Sequence, residues 1–323
     1  MEESQLKISP IASGSAVAFS GHVQYAFEII TFLKSNYGNT PDLRTLIDSL
    51  TASFGPFDRT RYVELLLATS RANGEAELLH WDTVRGLDSN TSDYYEIGSL
   101  TSYHSGLTVD ILSRAVRMHM PPAWILAAIT AVVQSYGIHH KLIDMNVGGA
   151  IFGLSTYAGI VSWQEDTRYI LYNTRFINNE ISIFNNINSH VLAYVRDDVL
   201  VVGSSLTKQT RIFENFTTPS NEVWIKTWLD YIKSHRTSNR FRNWVFISTV
   251  TEVVTVVIRT DFEQESRYLI FNNIGTSNFE ILLPVALTIQ LTTAIDSIYN
   301  LEIDVYEDAP PWRHYCISNP HNS

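Results

Sequence analysis

The chain has 323 residues, of which 45% are hydrophobic and 17% charged, so a sizeable core is available and the composition argues against a disordered chain. A formal net charge of -10 argues against nucleic acid, because phosphate binding needs a basic face. The one local basic run, Arg236 to Arg242, reads as a solvated loop.

The length fits one large domain or two ordinary ones. A single cysteine, Cys316, leaves no intramolecular disulfide and no cysteine metal cluster. The N-terminus, Met1 to Lys7, is polar and acidic, unlike a signal peptide. The most apolar helical run, Ala123 to Val133, falls short of the about 20 residues that span a bilayer. The expectation is a soluble, cytoplasmic protein with no membrane segment.

In chain order, Ala16 to Phe19 is a short apolar strand between Gly14 and Gly21. Val23, Ala26, Phe27, Ile30 and Leu33 then form one face of a helix that ends at Gly38. Thr40-Pro41 starts a second helix through Leu43, Leu46, Ile47 and Leu50, closed by Gly55-Pro56. Tyr62 to Thr69 and Glu77 to Trp81 read as a hairpin, and Tyr94 to Ile97 as a third strand. Helices follow at about 108–118 and 122–136, separated by Pro121-Pro122. Strands are expected at Ala150 to Thr156, Gly159 to Trp163 and Tyr169 to Tyr172.

Asparagine crowds positions 173 to 188, which sets a boundary near residue 180. This divides the chain into domains 1–180 and 181–323, the second an αβ extension of unknown role. Beyond it, Val191 to Val195 with Val199 to Gly203, and Val245 to Val250 with Val253 to Ile258, read as strand pairs. Arg267 to Phe271 is another strand, Val223 to Ile232 and Leu283 to Tyr299 are helices, and Leu301 to Tyr306 is a last strand.

Four stretches stand in a telling order: Lys7-Ile8 leading into Ala16-Val17-Ala18-Phe19-Ser20-Gly21, then Val63-Glu64-Leu65-Leu66-Leu67-Ala68, then Ile97-Gly98-Ser99-Leu100-Thr101, then Asp144 with Gly148-Gly149. Together they resemble the proteasome-type N-terminal-nucleophile hydrolases. The resemblance covers roughly residues 7–165. It implies an α+β fold, a four-layer αββα sandwich with two sheets face to face and helix pairs outside.

By the same resemblance, Asp144 and Thr101 are the supporting residues near the nucleophile, and Val147 stands where the family carries a serine. The family's nucleophile is the first residue of the mature chain, on a hairpin preceding the stretch matched here. Its own amine is the base. The expected function is therefore a non-catalytic scaffold or interaction protein with a protein partner or homo-oligomer. The alternative is a threonine- or serine-type N-terminal-nucleophile peptidase or amidohydrolase whose nucleophile-bearing segment is absent from this chain. An unrelated binding module is the third reading.

Other chemistry is thin. His139-His140 with Asp144 has metal-ligand residue types, but adjacent histidines diverge, so no metal is expected. No dinucleotide or phosphate-loop glycine pattern occurs, so no cofactor is expected. His80-Trp81-Asp82 reads as an exposed strand terminus. Trp224 with Trp228, and Pro310-Pro311-Trp312, are contact-surface candidates.

Overall fold

The computed structural model describes residues 7–37, 43–55, 59–88, 92, 94–98, 109, 113, 117, 119–139, 151–165, 167–172, 174–177, 180–183, 189–196, 199–204, 209–214, 243–248, 254–259 and 266–271. Among the described residues it is α+β, with mainly antiparallel sheets and few helices. The chain divides into two compact units. One holds Met1–Val109, Leu154–Trp163 and Asn215–Thr218, and the other holds the remainder.

The first unit is organised on a five-stranded antiparallel sheet in the order β1-β2-β3-β4-β5. Its strands are β1 (Ile8–Ala12), β2 (Ser15–Gly21), β3 (Val63–Ser70), β4 (Ala76–Asp82) and the two-residue β5 (Gly86–Leu87). Between β2 and β3 run helices α1 (Val23–Tyr37) and α2 (Leu43–Phe54).

Register fixes which residues face the helices. Phe19, Leu65 and Trp81 are direct partners across β2, β3 and β4, as are Val17, Leu67 and Leu79. Side chains alternate faces along a strand, so both rows point the same way. They form one core with Ala26, Phe27, Ile29, Ile30 and Leu33 of α1 and Leu46, Ile47 and Leu50 of α2. Phe19 and Phe27 meet edge to face at 5.5 Å, and Trp81 Nε1 donates to Thr51 Oγ1 at 2.9 Å, tying β4 to α2.

The opposite face carries the alternate rows. Ala16, Ala68 and Leu78 are partners, as are Ala18, Leu66 and His80, and then Ser20, Glu64 and Asp82. Leu66, Ala68 and Leu78 are half-buried, although α1 and α2 lie on the other side.

Strands β6 (Leu154–Tyr157) and β7 (Ile160–Trp163) make a separate hairpin whose turn is Ala158-Gly159. That turn sits on two others. Ser13 Oγ donates to the Gly159 carbonyl at 2.8 Å, and Gly159 N donates to Ser70 Oγ at 3.2 Å. Gly14, with φ of +68°, lies between them, where a side chain would collide with the Ser70 carbonyl and with Gly159.

The second unit holds helix α3 (Pro122–His139) and strands β8 (Thr167–Tyr172), β9 (Thr174–Ile177), β10 (Glu180–Ile183), β11 (Ser189–Arg196), β12 (Val199–Ser204), β13 (Gln209–Glu214), β14 (Asn243–Ser248), β15 (Val254–Arg259) and β16 (Ser266–Phe271). Seven of them form one sheet in the order β13-β12-β11-β8-β14-β15-β16. Only the β8–β14 pairing in it is parallel. Helix α3 lies against β14 and β15, and it buries Ala127, Ala128, Ala131 and Val132.

Buried polar groups in this unit are matched around Gln164. Its Oε1 accepts from Gly153 N at 3.1 Å, and its Nε2 donates to Thr167 Oγ1 at 2.9 Å and to Tyr169 Oη at 3.4 Å. Burial pushes the Tyr169 phenol above its ordinary pKa, and the bonds with Gln164 and Thr130 only partly offset this.

Several expected elements change. Tyr94 to Ile97 is not a strand, because the backbone of Tyr94 is engaged by Ser92: Ser92 Oγ donates to the Tyr94 carbonyl at 2.6 Å and accepts from Tyr94 N at 3.2 Å. The strand expected from Ala150 to Thr156 shortens to Leu154–Tyr157. Upstream of it, side chains take the backbone donors: Ile151 N donates to Gln134 and Gly153 N to Gln164. Strands β1, β5, β9, β10 and β13 are additional to the expected set.

Residue 180, the boundary set by the asparagines, opens β10, which pairs with β9. Strand β8 precedes that residue yet shares a sheet with strands well beyond it. The helices expected at Val223 to Ile232 and Leu283 to Tyr299, the strand at Leu301 to Tyr306, Trp224, Trp228, Pro310 to Trp312, Arg236 to Arg242 and Cys316 lie outside the described residues. Of the expected 108–118 helix, Val109, Ser113 and Arg117 are described and helical.

Candidate functional site

The two residues assigned supporting roles by resemblance, Thr101 and Asp144, lie outside the described residues, as do Val147 and His140. What the structure does bring together is a polar cluster on the sheet face opposite α1 and α2 in the first unit. It is built from the alternate positions of three adjacent, largely apolar strands: Ser20 on β2, Glu64 on β3 and His80 on β4.

Ser20 and Glu64 are direct cross-strand partners, and Ser20 Oγ donates to Glu64 Oε2 at 2.9 Å. Glu64 also takes a hydrogen bond from the Tyr62 phenol. Burial, together with the nearby Glu64 and Asp82 carboxylates, pushes that phenol well above its ordinary range. The other Glu64 oxygen, Oε1, stands 3.8 Å from His80 Nε2.

On the far side of the imidazole, Asp88 Oδ2 is 3.6 Å from Nδ1, and Asp88 N donates to the His80 carbonyl at 2.9 Å. Both ring-to-carboxylate distances exceed a good hydrogen bond. His80 Nε2 is buried with no hydrogen-bond partner. The Tyr95 ring lies over the imidazole with centroids 5.4 Å apart, and Gly98 N donates to Glu64 Oε2 at 3.4 Å.

Next to the cluster, Asp82 is buried and organises the β4–β5 turn. Its Oδ1 accepts from Val84 N at 2.8 Å and from Arg85 N at 2.6 Å, and its Oδ2 pairs with Arg85 Nε at 2.6 Å. Burial alone would raise its pKa, but these donors and the guanidinium outweigh it and hold the carboxyl below its ordinary value.

The run His80-Trp81-Asp82, expected as an exposed strand terminus, is therefore corrected. All three are buried, with His80 8% exposed, because α2 packs on Trp81 while Glu64, Asp88 and Tyr95 surround His80. The signal that could have marked the cluster is a single polar residue inside each apolar run, as in Val63-Glu64-Leu65 and Leu79-His80-Trp81.

The Ser20 hydroxyl is buried and committed to a carboxylate, while the imidazole nitrogens face carboxylates and not a hydroxyl. Among the described residues, no group of three or more His, Cys, Asp or Glu side chains is placed to hold a metal ion. None of the described helices is long and apolar enough to cross a membrane. Compared with protein-family models, with curated proteins and with solved structures, the chain matches none.

Proposed function

We propose that this chain is a proteasome-like N-terminal-nucleophile-fold protein that acts as a non-catalytic scaffold or interaction protein. The observation that supports this reading is the two-faced five-stranded sheet. One face carries the α1–α2 pair, and the other presents a half-buried apolar surface of Leu66, Ala68 and Leu78. An apolar face of that kind needs a second layer against it, which is what a four-layer αββα sandwich supplies.

The non-catalytic part is supported by the burial of Ser20, whose hydroxyl is bonded to Glu64. A protein partner or a second copy of the chain then supplies the work of such a scaffold.

The experiment is a panel of peptide and amide substrates presented to the 323-residue chain, alongside Asp144→Ala and Thr101→Ala. The expected result is no turnover in any of the three. Turnover in the parent that both substitutions abolish overturns the non-catalytic reading. Light scattering across the micromolar range reads the assembly.

A further inference from the structure

Residues Tyr94 to Gly98 run irregularly over the polar cluster, crossing three strands on the sheet face opposite the helices. Tyr95 covers His80 on β4, while Gly98 donates to Glu64 on β3 and stands next to Ser20 on β2. Two polar atoms of this region are buried without a hydrogen-bond partner. They are His80 Nε2 beneath the crossing and Glu96 Oε1 on the crossing segment itself. A buried polar atom without a partner is unfavourable, and contact with water or a polar ligand removes the penalty.

The attachment at the Gly98 end is weak. The Gly98–Glu64 bond is 3.4 Å long, beyond the usual N–H···O range. Gly98 itself is exposed, with φ of +101°, a conformation that side chains other than glycine rarely adopt. It can therefore act as a pivot.

We propose that Tyr94–Gly98 is a strap that lifts from the sheet face without unfolding the sheet, opening the Ser20–Glu64–His80 cluster to water and small polar ligands. The closed form is the one in the structure. Lifting gives His80 Nε2 and Glu96 Oε1 access to hydrogen-bond partners while β2, β3 and β4 keep their ladder. This does not depend on whether the chain is a hydrolase or a scaffold.

The test is the rate at which diethyl pyrocarbonate modifies His80 in the native full-length chain, read by peptide mapping with exposed His22 as the internal reference. The expected result is measurable modification of His80 at a rate that low urea leaves unchanged, while amide exchange across Val63–Ser70 stays slow. Gly98→Ala raises the His80 rate at least about fivefold relative to His22, because strain at that φ falls on the closed form.

Tyr95→Ala, which removes the ring over His80, is the second variant should Gly98→Ala fail to fold, and it acts in the same direction. The proposal is overturned if His80 reacts only through global unfolding, with the urea dependence of β3 exchange, and the folded variants leave its rate unchanged relative to His22.

Discussion

Ser20 Oγ donates to Glu64 Oε2 across 2.9 Å, from directly opposite positions on neighbouring strands. The pair joins β2 to β3 on the face that the helices do not cover. Because the acceptor is a carboxylate in a half-buried setting, Ser20→Ala is expected to lower stability by about 1–2 kcal/mol. Urea unfolding measures this through a lower midpoint at constant slope.

Removing the acceptor is expected to cost more. Glu64→Leu leaves the buried Ser20 hydroxyl, the half-buried Tyr62 phenol and the Gly98 amide without the carboxylate. The two substitutions should couple in a double-mutant cycle, since once Glu64 is gone Ser20→Ala removes little. Additive effects would show that the bond contributes nothing.

Acid stability is expected to depend on Asp82. Its folded pKa is depressed, so its stabilising contribution is present above the unfolded value and is lost as pH falls through the folded one. Asp82→Asn should therefore flatten the stability-versus-pH curve below about pH 4, where an ordinary aspartate begins to take up its proton. Urea midpoints collected from neutral to acid pH on both proteins make the comparison.

In the second unit, Gln164→Leu is expected to destabilise by about 1–3 kcal/mol, because it leaves the buried Gly153 N–H without its acceptor. Thermal unfolding of the parent and the variant reads this directly.

The parts of the fold that rest on local periodicity were legible in the sequence. The 3.6-residue spacing of Ala26, Phe27, Ile30 and Leu33 matches the buried face of α1, and the apolar runs around Leu65 and Leu79 match the β3–β4 hairpin. The strand β1 carries little such signal, since its sequence Ile-Ser-Pro-Ile-Ala is interrupted by Pro10, which is tolerated because β1 is the edge of the sheet. Tyr94 to Ile97 has strand composition, yet Ser92 takes its backbone bonds, a local competition that composition does not reveal.

The candidate cluster was largely illegible for a related reason. Ser20 and Glu64 lie 44 residues apart and Glu64 and His80 16, and the register of three strands brings them together. His80 looks like a solvated strand end until Tyr95 and Asp88 are placed around it.

Thiol reactivity on the sheet face away from the helices tests the layered scaffold most directly. In a chain whose only native cysteine, Cys316, is replaced by serine, Ala68→Cys and Ala72→Cys are each treated with a maleimide. Ala72 lies in an exposed turn, whereas Ala68 lies in the row that a second layer would cover. Cys at 68 is expected to react at least about a hundredfold more slowly than Cys at 72, the protection of a packed interior face. Reaction at 68 within about threefold of that at 72 would show the face open to solvent and contradict the layered scaffold.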